Sequence, residues 1–222
     1  ECTEAAVHLY KQIVERVVPV TSTGAAEMVK LLENTYRAVN IALVNEVAIM
    51  CDRLELDVWE VVEAAATKPF GFMPFTPGPG VGGHCIPLDP YYLSWKSKEY
   101  DIRTRFIELA GEINESMPYF VVAKLQKLLN NLGLCLKGSN ILILGVTYKA
   151  DIKDQRQSPA TKIMELLQNE DVSLTYVDPY VKTFKVGERE YRTKKLSISL
   201  LEHCDCAIVL AAHSRFDYDM LV

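Results

Sequence analysis

Cys85 is the residue whose setting most invites chemistry. It follows the run Gly78-Pro79-Gly80-Val81-Gly82-Gly83, sits beside His84 and lies four residues before Asp89. A cysteine in a polar, glycine-rich loop is a different object from a core cysteine. Exposed backbone N–H groups and a nearby cation favour the thiolate, which is the nucleophile. A Cys–His hydrolase is the competing arrangement, but adjacent side chains in an extended loop point apart. That spacing predicts that His84 is poorly placed as a base for Cys85. The glycine run formally matches GxGxxG, yet Pro77 precedes it and Ile86-Pro87-Leu88-Asp89-Pro90 follows. A dinucleotide turn needs a strand before and a helix after, so the match is rejected. The glycines read either as a loop whose backbone closely approaches a ligand or as a structural turn.

A second group lies on a helical segment. At about 100° per residue, Lys30, Asn34, Arg37 and Asn45 fall within about 80° of one another. One strip of an otherwise apolar helix then carries cations and amides, which need partners. Lys30 and Asn34 could steady an oxyanion; the alternatives are a satisfied polar interface or a solvated edge. A third group follows an apolar strand, in Thr147-Tyr148-Lys149-Ala150-Asp151-Ile152-Lys153-Asp154-Gln155-Arg156. Ligands of open parallel sheets bind at the carboxyl ends of strands, where Lys149 and Arg156 suit phosphate oxygens. Asp178-Pro179, after the next strand, reads as a ribose acceptor or as a cap or turn. The single Gly145 is no dinucleotide turn, so a nicotinamide site in this part is not expected.

The elements that must position these groups follow from periodicity. Residues 1–20 read as a helix followed by a strand at Val17–Val20, a segment that begins in mid-fold. A long helix covers Thr23–Arg53, capped by Ser22 or Thr23 and apolar on most faces, as expected of a helix buried in a larger assembly. A shorter helix follows, with Asp57 and Glu60 as a capping box. Residues 67–92 are irregular, rich in proline, glycine and aromatic side chains, and a loop of that length is usually functional. A second long helix spans Arg103–Leu132. Pro118 is expected to kink or break it, with Ser116 capping the restart, and Gly133 ends it. From residue 137 the pattern changes to strand 141–146, helix 158–169, strand 173–177, helix 197–202 and strand 207–210. That alternation means a parallel sheet with right-handed crossovers.

Composition excludes several classes. The chain has 222 residues and a net charge of −5, against the basic face of a nucleic-acid binder. No apolar run approaches a membrane span, and no signal-peptide pattern opens the sequence. Six cysteines are too few for a disulfide scaffold. Cys204-Asp205-Cys206 lacks a second pair at zinc-finger spacing and reads as small core residues at a strand start. No metal site is expected, and unpaired cysteines fit a reducing cytoplasm.

Four stretches together resemble the UDP-glucose/GDP-mannose dehydrogenase family of nucleotide-sugar 6-dehydrogenases. They are residues 27–36 (EMVKLLENTY), 80–90 (GVGGHCIPLDP), 144–151 (LGVTYKAD) and 176–179 (YVDP), in the family's order. Residues 77–93 and 105–114 look most like the branch acting on UDP-N-acetyl-hexosamines, UDP-N-acetylglucosamine being the first expectation. The resemblance implies an all-α central dimerisation domain followed by an α/β, Rossmann-like parallel-sheet domain that binds the nucleotide sugar. Residues 1–20 would be a remnant of an NAD-binding domain, 21–135 the central domain and 136–222 the UDP-sugar domain, cut short. It implies an NAD-dependent oxidation of C6 of the sugar from alcohol to carboxylate, using two NAD⁺. Cys85 would attack the aldehyde to give a thiohemiacetal, oxidised to a thioester that water hydrolyses. Lys30 and Asn34 would stabilise the oxyanion, and Asp89 would position or activate water. The backbone of Gly80, Val81, Gly82 and Gly83 would lie against the substrate, and Lys149 would reach the diphosphate. Two subunits would pair through the central domain.

Two departures qualify that picture. The family's NAD-binding domain is not in this sequence, so the chain by itself is not expected to turn over. The loop before the glycines offers Lys68 where some members place an arginine that contacts the partner's substrate. The rival reading from another class is a non-catalytic dimerisation and UDP-binding module.

Overall fold

The computed structural model describes residues 2–221. Helix α1 (Cys2–Tyr10) is followed by coil, and the strand expected at 17–20 does not form. Those residues are largely exposed, and among the described residues they pair with no strand.

Two long helices make the frame of the first half. Helix α2 (Thr23–Leu54) starts where Ser22 Oγ accepts the Ala25 amide at 3.1 Å, and ends at Glu55 in the left-handed region. Helix α3 (Val58–Ala66) is capped by Asp57, which accepts from the Trp59 amide. Helix α5 (Arg105–Asn131) packs chiefly on α2. Small residues line that contact: Ala38 and Ala42 from α2, Ala110 from α5. A buried amide pair fixes the register. Asn45 Nδ2 donates to Asn114 Oδ1 at 3.0 Å, and Asn114 Nδ2 donates to the Ala38 carbonyl at 3.1 Å.

Pro118 does not break α5 as expected. The helix runs through it, and the Ser116 hydroxyl donates back to the Ile113 carbonyl instead of capping a new start. Proline removes the donor that would face the carbonyl four residues earlier. That carbonyl, Asn114 O, is the atom against which Gly80 packs, 3.3 Å from where a Cβ would stand. The irregular stretch also ends sooner than expected, because Asp89–Lys98 is helix α4. Tyr91 of α4 donates to Glu115 of α5 at 2.6 Å, over Gly111, whose missing side chain leaves the room.

The second half is a three-stranded parallel sheet of β1 (Asn140–Leu144), β2 (Ser173–Val177) and β5 (Cys206–Val209), in the order β2-β1-β5. Ser158 caps α6 (Pro159–Asn169), with proline at the first turn. An antiparallel hairpin, β3 (Thr183–Val186) and β4 (Arg189–Arg192), follows β2 and was not foreseen. Helix α7 (Ile198–Glu202) precedes β5. The central strand is covered on both faces, as its unbroken apolar run requires. Ile141 and Ile143 face Ile163, Met164 and Leu167; Leu142 and Leu144 face Val177 and Phe216.

Leu125 and Leu129 of α5 belong to the same core as β1 and α6. One helix, about 40 Å long at ~1.5 Å per residue, therefore ties the helical half to the sheet. Gly133 then ends α5 with φ 73°, the Leu134 amide donating to Leu129 O at 3.0 Å. Among the described residues no helix is long and apolar enough to cross a membrane.

Candidate functional site

The turn holding Cys85 is closed by its own carbonyl, which accepts the Leu88 and Asp89 amides at 3.0 and 2.8 Å. Asp89 opens α4, and its carboxylate takes a hydrogen bond from Asn34 Nδ2 at 2.5 Å. Asn34 is buried on α2. Cys85, Asp89 and Asn34 thus form one connected unit, whose linked residues Asn34 and Asp89 lie 55 apart in sequence. Lys30 lies one helical turn before Asn34 on the same strip. Its ammonium is exposed and rests on Glu33 at 3.3 Å, a carboxylate that Arg37 also approaches, at 3.6 Å. Asn45 serves the polar interface with α5 described above and also accepts the Gly78 amide at 2.9 Å. The strip therefore divides: Asn34 meets the cysteine turn, Asn45 anchors the glycine loop, and Lys30 and Arg37 share an exposed carboxylate.

His84 contradicts its expectation. Its Nδ1 stands 3.7 Å from Cys85 Sγ, within hydrogen-bonding reach of sulfur. The residues lie in a tight turn, not extended backbone, and a turn brings neighbouring side chains together.

The glycines approach protein as much as open space. A Cβ on Gly82 would stand 2.5 Å from Tyr148 Cβ and 2.7 Å from Gln157 O. Gly83 has φ 94°, packs under the Tyr148 ring and donates to Arg156 O at 3.0 Å. So Gly82 and Gly83 are where the helical half closes on the sheet half. Gly80, Val81 and Gly82 also line a cleft of about 1080 Å³ together with Arg37 and the exposed Lys149. That is slightly larger than the usual ~300–1,000 Å³ of small-molecule sites. A second cavity of about 410 Å³ lies between Tyr91, Pro118 and Pro159.

Two polar residues of the sheet half are engaged within the fold. Asp178 takes the turn reading. It is buried, with Oδ1 accepting the Tyr180 and Val181 amides at 2.8 and 2.9 Å and Oδ2 accepting the Val146 amide at 2.8 Å. Arg156 is gripped by Asp154 through Nε and Nη2, the latter at 2.6 Å. The Arg156 hydrogen bonds hold the Asp154 carboxyl down at about 2. His213 was missed altogether. It is fully buried beside Asp178 and Thr147, and its only sequence signal was its place just past the third strand.

Residues 24–116 match the model of the UDP-glucose/GDP-mannose dehydrogenase family central domain. Residues 142–221 match that family's UDP binding domain. The chain belongs to the UDP-glucose/GDP-mannose dehydrogenase family. The chain is 37% identical over 213 residues to the UDP-N-acetyl-D-mannosamine dehydrogenase of Methanococcus vannielii, covering 96% of this chain and 47% of that protein. It is 36% identical over 219 residues to the Campylobacter jejuni enzyme of the same name, covering 97% and 52%. The solved UDP-D-ManNAc dehydrogenase of Pyrococcus horikoshii superposes with a TM-score of 0.84 at 34% identity, over 98% of this chain and 50% of that one. The chain thus spans about half the length of the relatives it matches.

Two glycine turns among the described residues are candidates for the NAD that the resemblance implies. Gly78–Gly83 is followed by a turn and only later by α4. At the end of β1, Gly145 (φ 79°) is packed against the Ala211 carbonyl and leaves no cradle for a pyrophosphate. Neither turn fits a dinucleotide. Among the described residues, no group of three or more His, Cys, Asp or Glu could hold a metal ion.

Proposed function

We propose that this chain supplies the sugar-handling half of a dehydrogenase that oxidises C6 of a UDP-N-acetyl-hexosamine. The carrying observation is the Asn34–Asp89 hydrogen bond, which joins the polar strip of α2 to the Cys85 turn. Cys85 is the nucleophile. Its exposed sulfur adds to the C6 aldehyde, and His84 Nδ1 at 3.7 Å can accept the thiol proton. Asn34 and Lys30 steady the oxyanion formed on that carbon, Lys30 by turning its exposed ammonium from Glu33. Asp89 orients the water that releases the acid once the hydride acceptor has oxidised the sulfur adduct to a thioester. Lys149, across the cleft, meets the diphosphate, and Gly80, Val81, Gly82 and Gly83 lie along the bound nucleotide sugar.

The hydride acceptor implied by the resemblance is NAD⁺, which neither glycine turn among the described residues fits. The names of the relatives shift the expected sugar from UDP-N-acetylglucosamine to UDP-N-acetyl-D-mannosamine. The function divides between residues 21–135, carrying the nucleophile and the subunit contact, and 136–222, carrying the nucleotide. Homodimerisation rests on the apolar side chains that α2 leaves exposed, Val29, Leu32, Leu43 and Met50 among them. Six unpaired cysteines suit a cytoplasmic setting.

Calorimetric titration with UDP, UDP-glucose, UDP-N-acetylglucosamine and UDP-N-acetyl-D-mannosamine tests the reading. Saturable binding is expected, tightest for the mannosamine sugar. Heat indistinguishable from dilution for all four would overturn it.

A further inference from the structure

His213 is the one fully buried histidine among the described residues, and no step above uses it. Its ring nitrogens reach both ends of one short loop. Nδ1 accepts the Asp151 amide at 2.9 Å. Accepting an N–H requires a bare Nδ1, so the ring proton sits on Nε2. There it points to Asp178 Oδ2 at 3.1 Å and to Thr147 Oγ1 at 3.3 Å. The Thr147 hydroxyl spends its own proton on the Lys149 carbonyl at 2.8 Å. Asp151 has φ 61°, and its carboxylate accepts both the amide and the hydroxyl of Ser214. One imidazole, with the residue after it, therefore grips positions 147 and 151, and Lys149 lies at the midpoint between them.

We propose that His213 is a positioning residue for the diphosphate-binding loop, holding the Lys149 backbone so that its ammonium faces the cleft. The proposal rests on the reading that Lys149 meets the diphosphate. His213 itself lies behind the cleft wall, which Ala211 and Ala212 form. It touches no ligand and acts through Thr147 and Asp151. A purely structural histidine would affect every part of the nucleotide alike. A positioning histidine affects the phosphate end alone.

The test compares UDP with uridine, each titrated by NMR into the unaltered chain and into His213→Phe, Thr147→Val and Lys149→Met. The Phe variant fills the space and makes no hydrogen bond; the Val variant keeps the shape and loses the hydroxyl. Both should weaken UDP, the first by about tenfold, with uridine held within about twofold, since a charge-assisted contact is worth about that factor. If Lys149→Met leaves UDP affinity unchanged, or the unaltered chain binds no UDP, the diphosphate reading fails and this proposal falls with it. If Lys149→Met weakens UDP but the two loop variants bind like the unaltered chain, the positioning role alone is wrong. Should His213→Phe lose uridine as well, Thr147→Val decides. A selective loss of UDP affinity in that variant supports the role, and equal or absent loss overturns it.

Discussion

Cys85 and the pair Cys204 and Cys206 present three thiols in two different settings. Cys85 is exposed, with an imidazole nitrogen 3.7 Å from sulfur. Burial pushes the Cys204 and Cys206 thiols up, which lowers their thiolate fraction at neutral pH. Iodoacetamide at neutral pH should therefore alkylate Cys85 well before either, as read by peptide mass mapping. Equal rates would count against an activated Cys85. The Asn34–Asp89 bond makes a stability prediction. Asn34→Ala leaves the Asp89 carboxylate without its buried donor and should cost about 1–3 kcal/mol in urea denaturation. Lys30→Met, at an exposed position, should stay within about 0.5 kcal/mol. At this scale residue type singled out candidates but not their partners. The types of Cys85, Asn34, Asp89 and Lys149 marked them, but that Asp178 turns inward depends on amides of Val146, Tyr180 and Val181, which residue type cannot announce. His213 looked like any residue after a strand.

The elements show why some boundaries were legible. Ser22, Ser158-Pro159 and Gly133 act by local backbone chemistry, and their helices start or stop where that chemistry requires. Pro118 misled because a proline breaks a helix only if tertiary packing does not hold it, and here α2 and Gly80 do. Helix α4 hid behind its prolines, since Pro90 at a first-turn position starts a helix as readily as it ends one. The connection between the Cys85 turn and the sheet half gives the pH prediction. Arg156, whose carbonyl holds Gly83, is itself held by Asp154. The Asp154 carboxyl lies at about 2 in the fold and about 3.9 when unfolded. A depressed carboxyl adds stability that is complete above pH ~4 and lost as pH falls toward ~2. Asp154→Asn should therefore lower the melting temperature at pH 6, and the two melting curves should converge near pH 2. A gap that persists unchanged at pH 2 would contradict this role.

The whole molecule leaves an apolar helix surface facing outward. Leu32 and Leu43 of α2 are 62% and 58% exposed, and Trp59 of α3 is 51% exposed. Such a surface on a long helix calls for a cover, and a second copy of the same helix offers one of matching chemistry. Sedimentation equilibrium at micromolar concentration should give the mass of two chains, with Leu43→Glu shifting the population toward one. A single-chain mass for the unaltered protein would remove the dimer from the account. The sheet order β2-β1-β5 places the carboxyl ends of the strands, and so Lys149, by the cleft that the glycine loop closes from the helical half. The cleft lies between two halves that α5 ties together.

The most direct measurement is a crystal structure of this chain with UDP-N-acetyl-D-mannosamine bound. The diphosphate is expected against Lys149 in the large cleft and the sugar C6 beside Cys85 Sγ, with Asn34 and Asp89 at the same carbon. A ligand seated elsewhere, or seated there with C6 turned away from the sulfur, would contradict this reading.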